Sequence, residues 1–175
     1  MTQQTNISSA QPGKYLTFKL QSEHFSLPVL RVREIMRMCP ITPVPRMPDY
    51  IKGVINLRGK IIPVIDLRDK FDLKKMSSDA DDRRCIIVAQ FNGNANVTQQ
   101  MGMIVDAVED VANFSDTDLE DAPDFGSALN TRYIKGMAKK HGSVRTLLDL
   151  DRLLNMEGVI QMLIHEKNST EKHWL

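Results

Sequence analysis

The sequence predicts a mainly β protein: two small barrels or sandwiches made by an internal duplication, packed together, with a C-terminal helix. Three observations carry this. A strand–turn–strand–helix stretch occurs twice, as YIKGVINLRGKIIPVIDLRDKFDL at residues 50–73 and as YIKGMAKKHGSVRTLLDLDRLLN at residues 133–155. The copies align without a gap at an offset of 83 (133 − 50), which sets Gly59 on Gly142 and Asp66-Leu67 on Asp149-Leu150. Most of the remaining chain is short runs rich in β-branched and aromatic residues, separated by turn residues. Helical periodicity is confined to the end, where Leu150, Leu153, Leu154, Val159, Met162 and Leu163 recur at helical spacing.

Residues 1–14 are polar, with Pro12-Gly13 as a breaker, and read as a disordered tail. Residues 15–20 alternate and read as a strand. Residues 25–32 return as a second strand, with Pro28 marking an edge or a bulge. Residues 31–38 alternate charged and apolar side chains. Four prolines (40, 43, 45 and 48) make residues 39–48 an extended or turning loop. In the first hairpin, residues 54–57 and 61–65 are strands joined through Arg58-Gly59-Lys60, where Gly59 supplies the positive φ of a short loop. The Asp66 carboxylate is placed to cap a helical turn over 67–71. The first barrel unit spans about 15–75, and a polar linker follows at about 76–83. The second unit, about 84–155, opens with a strong strand at 84–91 and a polar loop at 92–100. A strand-pair element at 101–111 then answers residues 26–35. Within it VEDV at 108–111 aligns with VREI at 32–35, an offset of 76 (108 − 32). Residues 114–131 are acidic and turn-rich, with helical potential at 127–131. The helix covers about 150–165, and 166–175 is a polar tail holding the only tryptophan, Trp174.

A chain of 175 residues suits one domain or two small ones. A unit of about 70 residues buries only about 60% of its unfolded surface, so the two units are expected to share a core. The apolar fraction of 42% and charged fraction of 26% are ordinary for a globular protein. A net charge of +1 gives no strong field for nucleic acid or anionic lipid. No signal peptide is evident in residues 1–14, so Cys39 and Cys85 are expected as reduced thiols in a cytoplasmic protein. No apolar run approaches the roughly 20 residues of a membrane span, which excludes direct membrane insertion by a helix. The ten methionines read as core filler.

Nothing assembles a catalytic, cofactor or metal site. His24, His141, His165 and His173 do not stand at metal-ligand spacing from one another or from a cysteine. Cys39 reads as a small half-buried thiol rather than a nucleophile. Phosphate-loop, dinucleotide and nucleophile-elbow motifs are absent. Asp116, Asp118 and Glu120 imitate the start of a calcium loop, but Asp121 stands where the loop needs glycine and Ser127 where it needs glutamate. Asp66 and Asp149 recur as helix caps rather than an acid–base pair. A non-enzyme follows. Small barrels also bind single-stranded nucleic acid through aromatic platforms and basic grooves, and this is the alternative function. Basic residues do cluster at Arg31, Arg33, Arg37 and Arg46, and at Lys135, Lys139, Lys140 and His141, but only ten aromatics are present.

The copies differ at the hairpin tip. Copy one has Asn56-Leu57-Arg58 before the glycine, whereas copy two has Lys139-Lys140-His141. Two readings stand: tips drift freely, or the first tip presents Arg58 to a protein, as suits the planar multi-donor fork of arginine. Glu34 could orient Arg58 if their strands come together.

The runs VLRVREI and PDYIKGVINLRGKIIPVIDLRDKF, with VDAVEDV and DAPDFG, resemble the CheW-type chemotaxis coupling family over about residues 15–156. The resemblance implies two five-stranded, SH3-like barrels and no catalysis or cofactor. It implies an adaptor joining methyl-accepting chemoreceptor cytoplasmic tips to the regulatory domain of a CheA-type histidine kinase, without nucleic acid. Val32, Glu34 and Ile35 then map to the receptor-facing segment. Asn56, Leu57, Arg58 and Gly59 map to a hairpin that makes signalling contacts, and Val108 is a further candidate for the apolar receptor groove. The same domain occurs fused to kinases and receiver domains; this chain has room for neither, and a stand-alone adaptor recruited from the cytoplasm to receptor arrays is expected. The tail around Trp174 departs from the family pattern.

Overall fold

A computed structural model of the chain describes residues 10–73, 83–93, 97–122 and 131–154. Eleven strands and two short helices follow in order: β1 Gly13–Leu20, β2 Glu23–Pro28, β3 Val32–Arg37, β4 Ile51–Leu57, β5 Lys60–Asp66, α1 Leu67–Lys70, β6 Cys85–Asn92, β7 Thr98–Val105, β8 Ala107–Phe114, β9 Leu119–Glu120, β10 Ile134–Lys140, β11 Ser143–Leu148 and α2 Leu150–Leu154. They form a five-stranded sheet, β3-β6-β7-β5-β4, and a six-stranded sheet, β8-β1-β2-β11-β10-β9.

The duplication is real, but its copies are not the barrels. β3, β4 and β5 of copy one correspond to β8, β10 and β11 of copy two. The sheet orders therefore match strand for strand, with β6–β7 in one where β1–β2 stands in the other. Each copy has given its hairpin to the other. The expected units at 15–75 and 84–155 are corrected accordingly: one sheet uses residues of 32–105, and the other closes the two ends of the chain on each other. The exchange is made by parallel pairing, β5 with β7 and β11 with β2. Such strands cannot be joined by a tight turn and must meet from distant parts of the chain.

Both sheets roll up. Beyond β3 the chain returns so that Thr42 bridges Val54 on β4, at the opposite edge. Gly53 makes this approach possible, because a Cβ there would lie 1.9 Å from the Thr42 carbonyl oxygen. Beyond β8, β9 pairs with β10 in the same way. These closures are consistent with SH3-like barrels.

Side-chain alternation along the strands divides the core in three. Ile86, Val88 and Ile104 point into the first barrel with Ile55, Ile62 and Val64. Tyr15, Phe114, Ala138 and Leu147 fill the second, where Thr17 and Ser26 share a buried hydrogen bond of 2.9 Å. The alternate residues, among them Phe18, Leu20, Leu27, Ile87, Phe91 and Met103, meet between the sheets in one larger core with Leu153 and Leu154 of α2. Each barrel is thus one wall of a shared interior. Polar contacts span the same seam. Asp106 accepts the Gln21 amide at 2.6 Å and lies 3.3 Å from Arg68 Nε. The two repeat tyrosines, Tyr50 and Tyr133, flank the Lys70 ammonium at 4.2 and 5.2 Å.

Several local expectations change. The tail expected at 1–14 already joins the sheet at Gly13, and Ala10 is 4% exposed in the second barrel; residues 1–9 lie outside the described residues. The strand expected over 25–32 stops at Pro28, where a 3₁₀ turn, Val29–Arg31, redirects the chain into β3. The strand pair expected at 101–111 is present, its two strands parted at Asp106. Asp66 and Asp149 do cap α1 and α2, accepting the amides of Arg68 at 2.9 Å and Arg152 at 3.2 Å. The linker at 76–82, the helical stretch at 127–130, the helix beyond Leu154 and the tail with Trp174 lie outside the described residues.

Candidate protein-interaction site

The first hairpin tip is a two-residue loop. Leu57 pairs with Lys60, and both residues between them have positive φ, Arg58 at 51° and Gly59 at 83°. This pair of values suits the right-handed twist of the flanking strands. Glycine adopts it freely; arginine does so at a cost of about 1–2 kcal/mol. The Asn56 side chain supports the turn by accepting the Gly59 amide at 2.8 Å. Leu57 is half-buried against the core of the first barrel, so it anchors the hairpin rather than presenting a free surface.

Arg58 is 77% exposed, yet its orientation is fixed. Its Nη1 and Nη2 donate to Glu34 Oε2 and Oε1 at 3.1 and 3.2 Å. Glu34 is on β3, at the other edge of the sheet from β4, so the fork bridges the rolled sheet's two edges. An ion pair this exposed adds about 0–1 kcal/mol. Its consequence is directional: it gives a long side chain one pose.

β3 carries a bulge at Arg33 that changes which side chains share a face. Val32 pairs with Ala89 and Ile35 with Ile87, whereas Glu34 pairs with Val88 and Met36 with Ile86. Ala89 and Ile87 belong to the shared core, Val88 and Ile86 to the barrel interior. Without the extra residue, Val32 and Glu34 would lie on one face. With it, Val32 and Ile35 line the outer face together, Val32 half-buried and Ile35 46% exposed. The same bulge occurs in β8, at Glu109. Val108 is packed on the shared core there, by a seam cavity of about 470 Å³ lined by Lys19, Arg83, Cys85 and Glu109 among others. Burial pushes the Cys85 thiol pKa up, and a hydrogen bond from the Val108 backbone offsets this in part. Cys85 pairs with Arg37 of β3, so Val108 sits near that end of the strand, away from the Val32 end. The expected residues therefore form a clamped pair, an apolar face beside it, and a separate position across the seam.

Copy two lacks the clamp. Its tip residue His141 is exposed at φ 53°, and Asp110, the counterpart of Glu34, lies 3.5 Å from Arg145 instead. Arg145 is turned inward and also donates to Thr17 Oγ1 at 2.9 Å. The basic cluster is partly neutralised: Arg31 forks onto Asp151 at 3.0 and 3.1 Å, and Lys139 lies 3.0 Å from Glu120. The described part of the acidic stretch opens with a turn. Asp118 accepts the Ser115 amide at 2.8 Å and its hydroxyl at 3.0 Å, which holds the Asp118 carboxyl below its ordinary range.

The CheW-like domain family matches residues 14–158. The chain belongs to the CheW-like family. It is 35% identical over 144 residues to the chemotaxis protein CheW of Klebsiella aerogenes, covering 82% of each chain. It is 32% identical over 142 residues to the CheW of Rhizobium meliloti, covering 81% of this chain and 87% of that one. The scaffolding protein TtCheW of Thermoanaerobacter tengcongensis has a similar structure, with a TM-score of 0.72 at 32% identity over 85% of this chain and 92% of that one. This CheW-like chain is a chemotaxis scaffold rather than an enzyme. No helix among its described residues is long and apolar enough to cross a membrane.

Proposed function

We propose that the protein is an adaptor in the cytoplasm that couples the signalling tips of methyl-accepting chemoreceptors to the regulatory domain of a CheA-type histidine kinase. The observation that carries this reading is the Glu34–Arg58 fork. It is built in one copy only, on a turn that costs an arginine strain, and it contributes little stability for that expense of sequence. The outer face of Val32 and Ile35 beside it suits the apolar stripe of a helix, in the manner of helix-in-groove recognition. Asn56, Leu57 and Gly59 hold the hairpin that carries Arg58, and Val108 is a separate contact position across the seam. A coupler of this kind changes kinase output only by its different affinity for the active and inactive arrays. Weak contacts repeated within an array raise its avidity.

Co-sedimentation of the protein with a receptor tip fragment and the kinase from the same source tests the reading. The expected result is a complex that loses this protein when Ile35 is changed to Asp. A receptor–kinase pellet that never includes it contradicts the reading.

A further inference from the structure

β5 and β7 are parallel and pair only over Val64, Ile65 and Asp66 with Gly102, Met103 and Ile104. Pro63 has no N–H to continue the ladder. In copy two, Thr146 stands at that place (63 + 83) and pairs with Phe25. Towards the hairpin tip, β5 and β7 border a cavity of about 190 Å³ lined by Lys60, Ile61, Pro63, Phe91, Gln99 and Met101 among others. A cavity of about 150 Å³ suffices for a benzene ring, so this one has room for an aromatic or branched side chain. Its rim is apolar and basic: Ile61 is 40% exposed, nearby Val97 is 55% exposed, and Lys60 follows the Arg58-Gly59 tip directly. The Oε1 atom of Gln99, in the lining, is buried without a hydrogen-bond partner among the described residues.

We propose that this cleft is a second docking point, one that takes a large apolar side chain from an acidic amphipathic helix of the receptor tip. The inference rests on the adaptor reading above and names a contact that reading does not include. The helix sets a carboxylate against Lys60 and a side-chain N–H donor against the Gln99 amide. The occupant is acidic because the rim offers Lys60, while the neighbouring cation, Arg58, already has Glu34. It is helical because the adaptor reading has the receptor present its apolar stripe on a helix, which places anchors three or four residues apart.

The test is a titration of the full chain, isotope-labelled at isoleucine methyls, with the receptor tip fragment. Ile35 reports the face already assigned and Ile61 reports the cleft. The expected result is that both shift together. Lys60→Glu should weaken binding about tenfold at low salt, less as salt screens the charge, with an unchanged melting temperature because Lys60 is exposed. Shifts at Ile35 with Ile61 still, or Lys60→Glu binding as tightly as wild type, overturn the cleft and leave the adaptor reading standing. A fragment that shifts neither methyl overturns both.

Discussion

Arg58 keeps a left-handed backbone although it is neither glycine nor asparagine, and its exposed guanidinium is forked onto Glu34. Its contribution to stability is small on both counts, which separates folding from binding. Arg58→Asn retains a residue that tolerates this φ and removes the cation. The melting midpoint should change by no more than about 1 kcal/mol equivalent, while affinity for the receptor–kinase assembly should fall about 30-fold, the roughly 2 kcal/mol of a hot-spot arginine. Calorimetry and a binding titration on one preparation check both. Cys85 behaves oppositely, since burial keeps its thiol protonated above the ordinary range. Protonation in the folded state contributes stability present below the unfolded thiol's pKa and lost as pH rises through the raised folded value. In a Cys39→Ser variant, alkylation at pH 8 should be slower than for free cysteine and recover in denaturant; an equal rate in the native protein contradicts the burial. At this scale the sequence showed the partners but not their pose. Gly59 marks the turn by composition, whereas nothing in an arginine or in VREI signals a left-handed φ at 58 or a bulge at 33.

The two hairpin–helix elements are the same device used with different surroundings. Asp66 and Asp149 each accept an amide in the first turn, and this was legible because a capping carboxylate is a local matter. What differs is long-range. Asp66 is 2% exposed and also lies 3.1 Å from Arg84 Nη2, in a cluster with Arg68 and Asp106 that joins the two sheets. Removing one member of a buried ionic cluster costs about 3–5 kcal/mol, against about 1 kcal/mol for an exposed cap. Asp66→Ala should therefore lower the urea midpoint much more than Asp149→Ala, and equal losses would show the cluster to be energetically silent. The reach of the strand at 25–32 was misread for the same reason. Pro28 signals an interruption, but the 3₁₀ turn after it is held by Arg31 on Asp151, a residue 120 positions away.

At the scale of the whole molecule, the duplication was legible from the YIKG, Gly and Asp-Leu matches, and the exchange of hairpins was not. Repeats report common ancestry of segments; which copy completes which sheet depends on parallel pairings between β5 and β7 and between β11 and β2, which leave no local mark. The exchange has an energetic consequence. Residues 32–105 contain every strand of the five-stranded sheet, yet Ile65, Ile87, Phe91, Met101 and Met103 on its outer face belong to the shared core. Exposing side chains worth about 1.5–3 kcal/mol each exceeds a large part of the 5–15 kcal/mol that stabilises a domain. That segment alone should show no cooperative thermal transition, and a sharp one would mean the barrels are independent. The same unity holds β3, the clamped tip and Val108 on one body. The most direct measurement is kinase autophosphorylation with a receptor tip fragment, in the presence of wild-type protein, of Arg58→Asn, or of neither. The account predicts a large change in output that requires all three components and is mostly lost with Arg58→Asn. Output that is the same with and without the wild-type protein would contradict it.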